Sequence, residues 1–514
     1  MSIVEKNKNY EIDITGMTHE GQGVGRINGL AVFTDGVIEG ERAEIRIIKL
    51  NKTYAVGKLI SILNPSPARV TPFCSEYKRC GGCSLQHMDY GAQLAFKTKL
   101  VRDDLERLGG LKDVVVHDAT GMSNPKNYRN KAQYPVAVSG SDVITGFYAA
   151  RSHEVIDSEE CGIQDTVSNN IRIIVRQFIM DKGISIYNEA TGKGLIRHIV
   201  TRVGFHTGEV MVVLVINGRA LPDGAAEELV KRLNGADLTQ GLESMPDAAW
   251  SRETSNAPET QNKTDTPDTP DTPAIDAADA AEANTVHGTR SPAIKSIYLN
   301  INKEKTNVIL GSENVLLYGS ETITDTIGRF KFIISPHSFF QVNPVQTEAL
   351  YSKALEYAGL TGAETVFDLY CGIGTISLFL SEKARKVYGV EVVEAAIKDA
   401  RRNAALNGVN NTEFIAGEAE KIVPGLYSKG IRADVVVLDP PRKGCEETLL
   451  SLLAEMQPER IVYVSCNPAT LARDLKFLDS RGYRTIEAQP VDMFPWTRHV
   501  ECVIMMTYCG QKDK

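Results

Sequence analysis

The run Ile461-Val462-Tyr463-Val464-Ser465, closed abruptly by Asn467-Pro468, reads as a buried β-strand. Open α/β sheets carry their chemistry at the ends of such strands, and here the end is Cys466. A free cysteine is more often a small buried hydrophobe than a nucleophile, because a thiolate needs an electropositive setting. The surrounding sequence decides between the two.

From about Ile323 strands and helices alternate. Phe339-Phe340-Gln341-Val342-Asn343-Pro344 leads into a helix expected from near Val345 to Ala358. Thr365 to Thr375 reads as strand, glycine turn and helix, and the next strand, Val387 to Glu391, ends in an acid. An acid at that tip is placed to hydrogen-bond a ribose diol. The turn is one glycine short of the dinucleotide pattern, which suits S-adenosylmethionine better than a nicotinamide cofactor. Val435 to Leu438 runs into Asp439-Pro440-Pro441-Arg442, a strand end that faces the target base in methyltransferases. Enzymes that act on exocyclic amines carry an aromatic where Arg442 stands, so different chemistry is expected. Carbon 5 of uracil is a poor nucleophile, but a thiolate adding to carbon 6 turns it into an enolate carbon. A base must then remove the carbon 5 proton, and Glu501 is the candidate. His499 is the rival; on period-two spacing it shares a face with Glu501 and could instead orient it.

The front of the chain differs. Residues from about Tyr10 to Leu63 alternate short apolar runs with turn residues, as in a small all-β module. Gly21-Gln22-Gly23-Val24-Gly25-Arg26 has no helix pattern behind it, which excludes a dinucleotide loop. Thr18 to Arg26 resembles the opening of a TRAM domain, an RNA-binding barrel. Cys74, Cys80 and Cys83 follow, with a distant Cys161. Nine cysteines in a large chain whose start lacks an apolar signal region suggest a reducing, cytoplasmic setting, and a metal site rather than disulfides. Three clustered thiolates and one distant one suit a [4Fe–4S] cube, with zinc and free thiols as alternatives. Asn127-Tyr128-Arg129-Asn130-Lys131 has a composition suited to stacking on bases and gripping phosphates, or to an ordinary exposed turn. Ile199–Val203 and Glu209–Ile216 are expected to form a hairpin.

Charge matters because nucleic-acid enzymes need a basic face. The chain carries −8, yet residues 237–290 alone hold 11 acidic and 3 basic residues, which accounts for the whole imbalance. The proline-, threonine- and aspartate-rich stretch within 237–292 is expected to be a disordered insertion. No run of about 18 apolar residues suggests a membrane span.

Taken together, Phe340 to Asn343, Asp368 to Gly372, Asp439 to Arg442, Ser465 to Pro468 and His499 to Glu501 resemble the RNA (uracil-5-)-methyltransferases. With the four cysteines and the TRAM-like start, the chain is most similar to the iron–sulfur branch that acts on 23S ribosomal RNA. The resemblance implies an α/β fold: a Rossmann-like class I methyltransferase domain over 323–510, behind a TRAM/OB-like barrel over 1–63. A mixed α+β iron–sulfur and RNA-binding domain over 70–320 is expected between them. It further implies a Cys466 nucleophile, a Glu501 base, S-adenosylmethionine contacts from Gln341, Tyr370, Glu391 and Asp439, and cluster ligands Cys74, Cys80, Cys83 and Cys161. The expected partner is 23S ribosomal RNA, with no membrane, and the chain is expected to be a monomer. The alternatives are the same chemistry on a transfer RNA, or an RNA-binding iron–sulfur protein without methyltransferase activity.

Overall fold

The computed structural model describes residues 4–239 and 291–510. The expected disordered insertion therefore falls, apart from its margins, outside the described residues.

Five strands close a small barrel: β1 (Asn9–Met17), β2 (Gly23–Ile27), β3 (Leu30–Thr34), β4 (Arg42–Leu50) and β5 (Tyr54–Asn64). Alternation along β4 turns Ala43, Ile45 and Ile47 into the interior and its charged residues outward. The glycine-rich run is explained by crowding. Gly25 sits in β2, where a Cβ would collide with the carbonyl oxygen of Asp13 and the side chain of Ile12.

After α1 (Tyr90–Asp104) and the two-residue strand β6 (Val115–Val116) comes the central sheet. It is built from β7 (Lys131–Ser139), β8 (Asp142–Tyr148), β9 (Val155–Asp157), β10 (Ile196–Val203) and β11 (Glu209–Ile216). Helices α2 (Thr166–Asp181) and α3 (Ala225–Gly235) pack on it, and β12 (Ala293–Ile301) and β13 (Glu313–Gly319) complete it. β10 and β11 form the expected antiparallel pair, and Gly208 between them takes a positive φ. β12 resumes this sheet parallel to β11, on the far side of the acidic stretch.

A hairpin, β14 (Ile323–Ile327) and β15 (Phe330–Ile334), opens the C-terminal region and is followed by α4 (Pro344–Ala358). Local chemistry sets the helix: the Asn343 side chain accepts the Gln346 N–H, Pro344 fills the first turn, and Gly359 ends it in the left-handed region. Strands and helices then alternate: β16 (Thr365–Leu369), α5 (Thr375–Ser381), β17 (Lys386–Glu391), α6 (Glu394–Leu406), β18 (Thr412–Ala416) and α7 (Ala419–Ser428). The series ends with β19 (Val435–Leu438), α8 (Glu447–Met456), β20 (Arg460–Ser465), α9 (Pro468–Asp479), β21 (Tyr483–Val491) and β22 (Glu501–Tyr508). The sheet order is β18-β17-β16-β19-β20-β22-β21-β6, parallel up to β20, with β22 antiparallel between β20 and β21. Its strands are apolar on both faces because helices cover both, which yields two separate cores.

Two contributions to this sheet come from outside residues 323–510. β6 adds the last edge beside β21, and Val101 of α1, with Leu105 just after the helix, is buried against Leu471 and Leu475 of α9. The chain thus returns to its catalytic half before the central sheet begins.

Candidate active site

The parallel strands all end on one side, and the site is built there. At the end of β16 the chain turns through Tyr370, Gly372 and Gly374, each with positive φ. A Cβ on Gly374 would press against the Phe414 ring and Ala400, so close helix–strand packing needs glycine there. The Glu391 carboxylate at the end of β17 accepts the Gly372 N–H at 3.3 Å and the Val393 N–H at 2.8 Å. This braces the acid beside the glycine turn. Tyr370 reaches instead toward Cys445. Gln341, ahead of α4, lies within hydrogen-bonding reach of the Tyr351 hydroxyl, which also meets Thr375 at 3.0 Å. Asp368, beneath the turn, opens one of the motifs read from the sequence but has no role of its own there. It is fully buried, accepts from Ser377 Oγ at 2.5 Å, and has an unpartnered Oδ1. Burial is the main reason its carboxyl is pushed up to about 7.

The second half of the site lies at the ends of β19, β20 and β22. Ser465 of β20 pairs with Cys502 of antiparallel β22, so Cys466 and Glu501 occupy the next opposed positions. Burial first, and then the Glu501 and Asp439 carboxylates, push the Cys466 thiol up to about 11, while Arg442 pulls it down. Burial also drives Glu501 far above the ordinary carboxyl range; Asp439 adds to the effect and Arg442 opposes it. Asp439 is itself pushed up to about 7 by burial and by Asp368. The structure therefore brings a thiol, two reluctant carboxyls and one exposed arginine together at adjoining strand ends. An elevated pKa makes Glu501 a stronger proton acceptor once ionised. His499 is half-buried edge-on to Phe494, and burial holds it down at about 4, so it is neutral at physiological pH.

Tyr128 corrects the reading of residues 127–131 as a base-stacking stretch or exposed turn. Its ring is buried and its hydroxyl donates to the Pro495 carbonyl, while Asn130 donates to the Gln341 carbonyl. These residues brace the catalytic half from behind.

Cys74, Cys80, Cys83 and Cys161 come from two segments and converge. Burial leads in pushing the Cys83 thiol up to about 12, and Cys161, Cys80 and Cys74 add to it. Cys161 is pushed up to about 11, mainly by burial, with Cys80 and Cys74 contributing. All four are free thiols, so the donor set fits a soft, thiolate-bound group. Among the described residues, no group of three or more His, Cys, Asp or Glu is arranged to hold a metal ion. None of the described helices is long and apolar enough to cross a membrane.

A doubly wound sheet whose second strand ends in a braced acid, behind a glycine turn, is the architecture of enzymes that bind a nucleoside-bearing cofactor, S-adenosylmethionine-dependent methyltransferases among them. The chain belongs to the tRNA (uracil-5-)-methyltransferase family, whose model matches residues 294–508, and it carries an N-terminal TRAM domain matched over residues 4–60. A relative from Clostridium tetani, an uncharacterized RNA methyltransferase, is 50% identical and covers 99% of each chain. Another from Caldanaerobacter subterraneus, of the same description, is 46% identical over 98% of this chain and 99% of its own. Among solved structures, the Pyrococcus abyssi tRNA (uracil-54, C5)-methyltransferase in complex with S-adenosyl-L-homocysteine is 28% identical, with a TM-score of 0.69. It covers 97% of this chain and 99% of that one.

Proposed function

We propose that this protein methylates carbon 5 of a uridine in 23S ribosomal RNA, with Cys466 as nucleophile and Glu501 as base. The observation that carries the reading is the β20–β22 register, which sets a thiol and a carboxyl opposite one another at the mouth of the sheet. The Cys466 sulfur bonds to carbon 6 of uracil, and the displaced π electrons make carbon 5 nucleophilic. S-adenosylmethionine, when bound, supplies a methyl group activated by its sulfonium. Once carbon 5 carries the methyl, Glu501 takes the carbon 5 proton; the freed pair restores the ring double bond and expels the Cys466 thiolate. Glu391 is placed to receive the ribose hydroxyls, with Gln341, Tyr370 and Asp439 lining the rest of the cofactor site.

Cys74, Cys80, Cys83 and Cys161 are the residues that would hold a [4Fe–4S] cluster, tying two distant segments of the chain together. What supports this is the convergence of four half-buried free thiols, not a ready ligand geometry. Ribosomal RNA is preferred over transfer RNA because the four-cysteine pattern joins the TRAM-like start. The test is to map 5-methyluridine by mass spectrometry in 23S and transfer RNA from a deletion strain. Loss from a 23S site supports the reading, and loss from transfer RNA alone overturns the substrate. Iron and sulfide at about four each per anaerobically purified chain support the cube; one zinc without sulfide rejects it.

A further inference from the structure

The segment from Asp492 to His499 leads directly into Glu501, and the front half of the chain grips it at five of its eight residues. Lys97 of α1 is buried against Asp492 at 2.5 Å and donates to the Phe494 carbonyl at 3.1 Å. Tyr128 takes the Pro495 carbonyl. Trp496 is held from every side: its N–H donates to Gln93 Oε1 at 3.0 Å, and its indole N–H to the Pro125 carbonyl at 2.8 Å. Its carbonyl accepts from the backbone N–H groups of Ser84 and Leu85, the two residues after Cys83. The Arg498 N–H donates to Ser84 Oγ, and the Arg498 guanidinium pairs with Glu20 beside the barrel strands at 2.8 Å.

Trp496 is also where the cysteine segments meet this loop. With Tyr128 and Ile163 it forms a small buried cluster against which Cys83 and Cys161 pack. Phe73, the neighbour of Cys74, meets its ring edge-on with centroids 5.1 Å apart, and Tyr90 approaches at 5.7 Å. The backbone at Trp496 takes φ 67°, a left-handed conformation that a bulky residue holds only when its surroundings impose it. Free of these contacts, the segment would relax toward ordinary φ and carry the start of β22 with it.

We propose that Trp496 is a positioning residue for Glu501, transmitting the order of the cysteine-bearing segments to the carboxyl that removes the carbon 5 proton. This rests on the covalent reading above. Nothing in the grip touches Cys466, which is anchored separately at the end of β20, with the following Asn467 capping α9. Disturbing Trp496 therefore acts on the proton-removal step and spares addition to carbon 6.

Full-length wild type, Trp496→Gly, Trp496→Phe and Cys161→Ser are compared on two RNAs carrying the target site, one with uridine and one with 5-fluorouridine. Fluorine cannot leave as a proton, so the second RNA reports addition and methyl transfer alone, read as a covalent adduct on a denaturing gel. Trp496→Gly permits the left-handed backbone but removes the packing. It should lower uridine turnover by up to about 100-fold, the scale of an ångström's misplacement. A protein–RNA adduct should persist on uridine RNA, while the 5-fluorouridine adduct forms at the wild-type rate. Trp496→Phe should restore most of the turnover, and Cys161→Ser should show the same stalled adduct. Unchanged turnover in Trp496→Gly overturns the proposal. So does a parallel fall of turnover and 5-fluorouridine adduct formation, which would mean that Trp496 merely holds the fold. Wild type forming no adduct on 5-fluorouridine RNA would overturn the covalent reading itself, and this proposal with it.

Discussion

Cys466 and Glu501 stand opposite one another, one position beyond the Ser465–Cys502 pair of antiparallel strands β20 and β22. Their juxtaposition is therefore fixed by sheet register, and a one-residue slip would turn one of them to the other face. Cys466→Ala should bind S-adenosylmethionine with wild-type affinity by calorimetry and form no RNA adduct, with turnover below about one thousandth of wild type. Glu501→Gln should add to RNA and accept the methyl group, then stall as an adduct visible on a denaturing gel. If both variants are inactive and neither forms an adduct, Glu501 is not the acceptor.

Arg442 is the cation that lowers the pKa of both the thiol and the carboxyl. With the Cys466 thiol near 11 in the free protein, only about one molecule in ten thousand carries the thiolate at pH 7. Adduct formation on 5-fluorouridine RNA should therefore climb with pH across 7 to 9, approaching tenfold per unit. Arg442→Gln should slow it by roughly tenfold at pH 7.5 and move the rising limb to higher pH, about one pKa unit's worth of lost attraction. A rate independent of pH in both proteins would show that the thiol is deprotonated by some other route.

The strand ends were legible because helices cover both faces of this sheet, so strands such as β19 and β20 read as apolar runs that stop at a polar residue. Glu391, Asp439 and Cys466 announce themselves in that way. Asp368 does not: it sits inside such a run, and nothing local distinguishes it from a residue at a strand end. Tyr128 was misread because an aromatic between cations carries no mark of burial, and its partner Pro495 lies 367 residues away. The grip on Trp496 was equally invisible. Lys97 looks like any helix-surface cation until Asp492, 395 residues later, is seen against it. Periodicity reports which face a residue shares with its neighbours, but not which remote segment that face meets.

Asp368 makes stability depend on pH in an unusual direction. Its folded-state pKa of about 7 lies above the ordinary 3.8, chiefly through burial, so the folded protein keeps a proton that the unfolded chain releases. Stability from this group is complete below about pH 4 and is lost as the pH rises through about 7. Asp439, raised to about 7 mainly by burial, contributes in the same window. The melting temperature of the cofactor-free Asp368→Asn variant should gain on that of wild type as the pH rises from about 5 to 7, the window in which wild type loses the stability that this one proton supplies. Scanning calorimetry across this range decides it; an Asp368→Asn profile parallel to wild type would mean that Asp368 is already ionised at pH 5.

Lys97 and Asp492 form an ion pair with neither side chain exposed. Burial pulls Lys97 below the ordinary lysine range even though Asp492 opposes this, so both charges are costly and each depends on the other. Lys97→Met would strand the Asp492 carboxylate in the interior and should destabilise the protein by about 3–5 kcal/mol, the usual cost of breaking a buried pair from one side. Adding Asp492→Leu removes the stranded charge, so the double variant should recover more than half of that loss in urea unfolding. If the single variant loses less than about 1 kcal/mol, the pair is not buried in solution as it is here, and α1 does not hold the segment leading to Glu501.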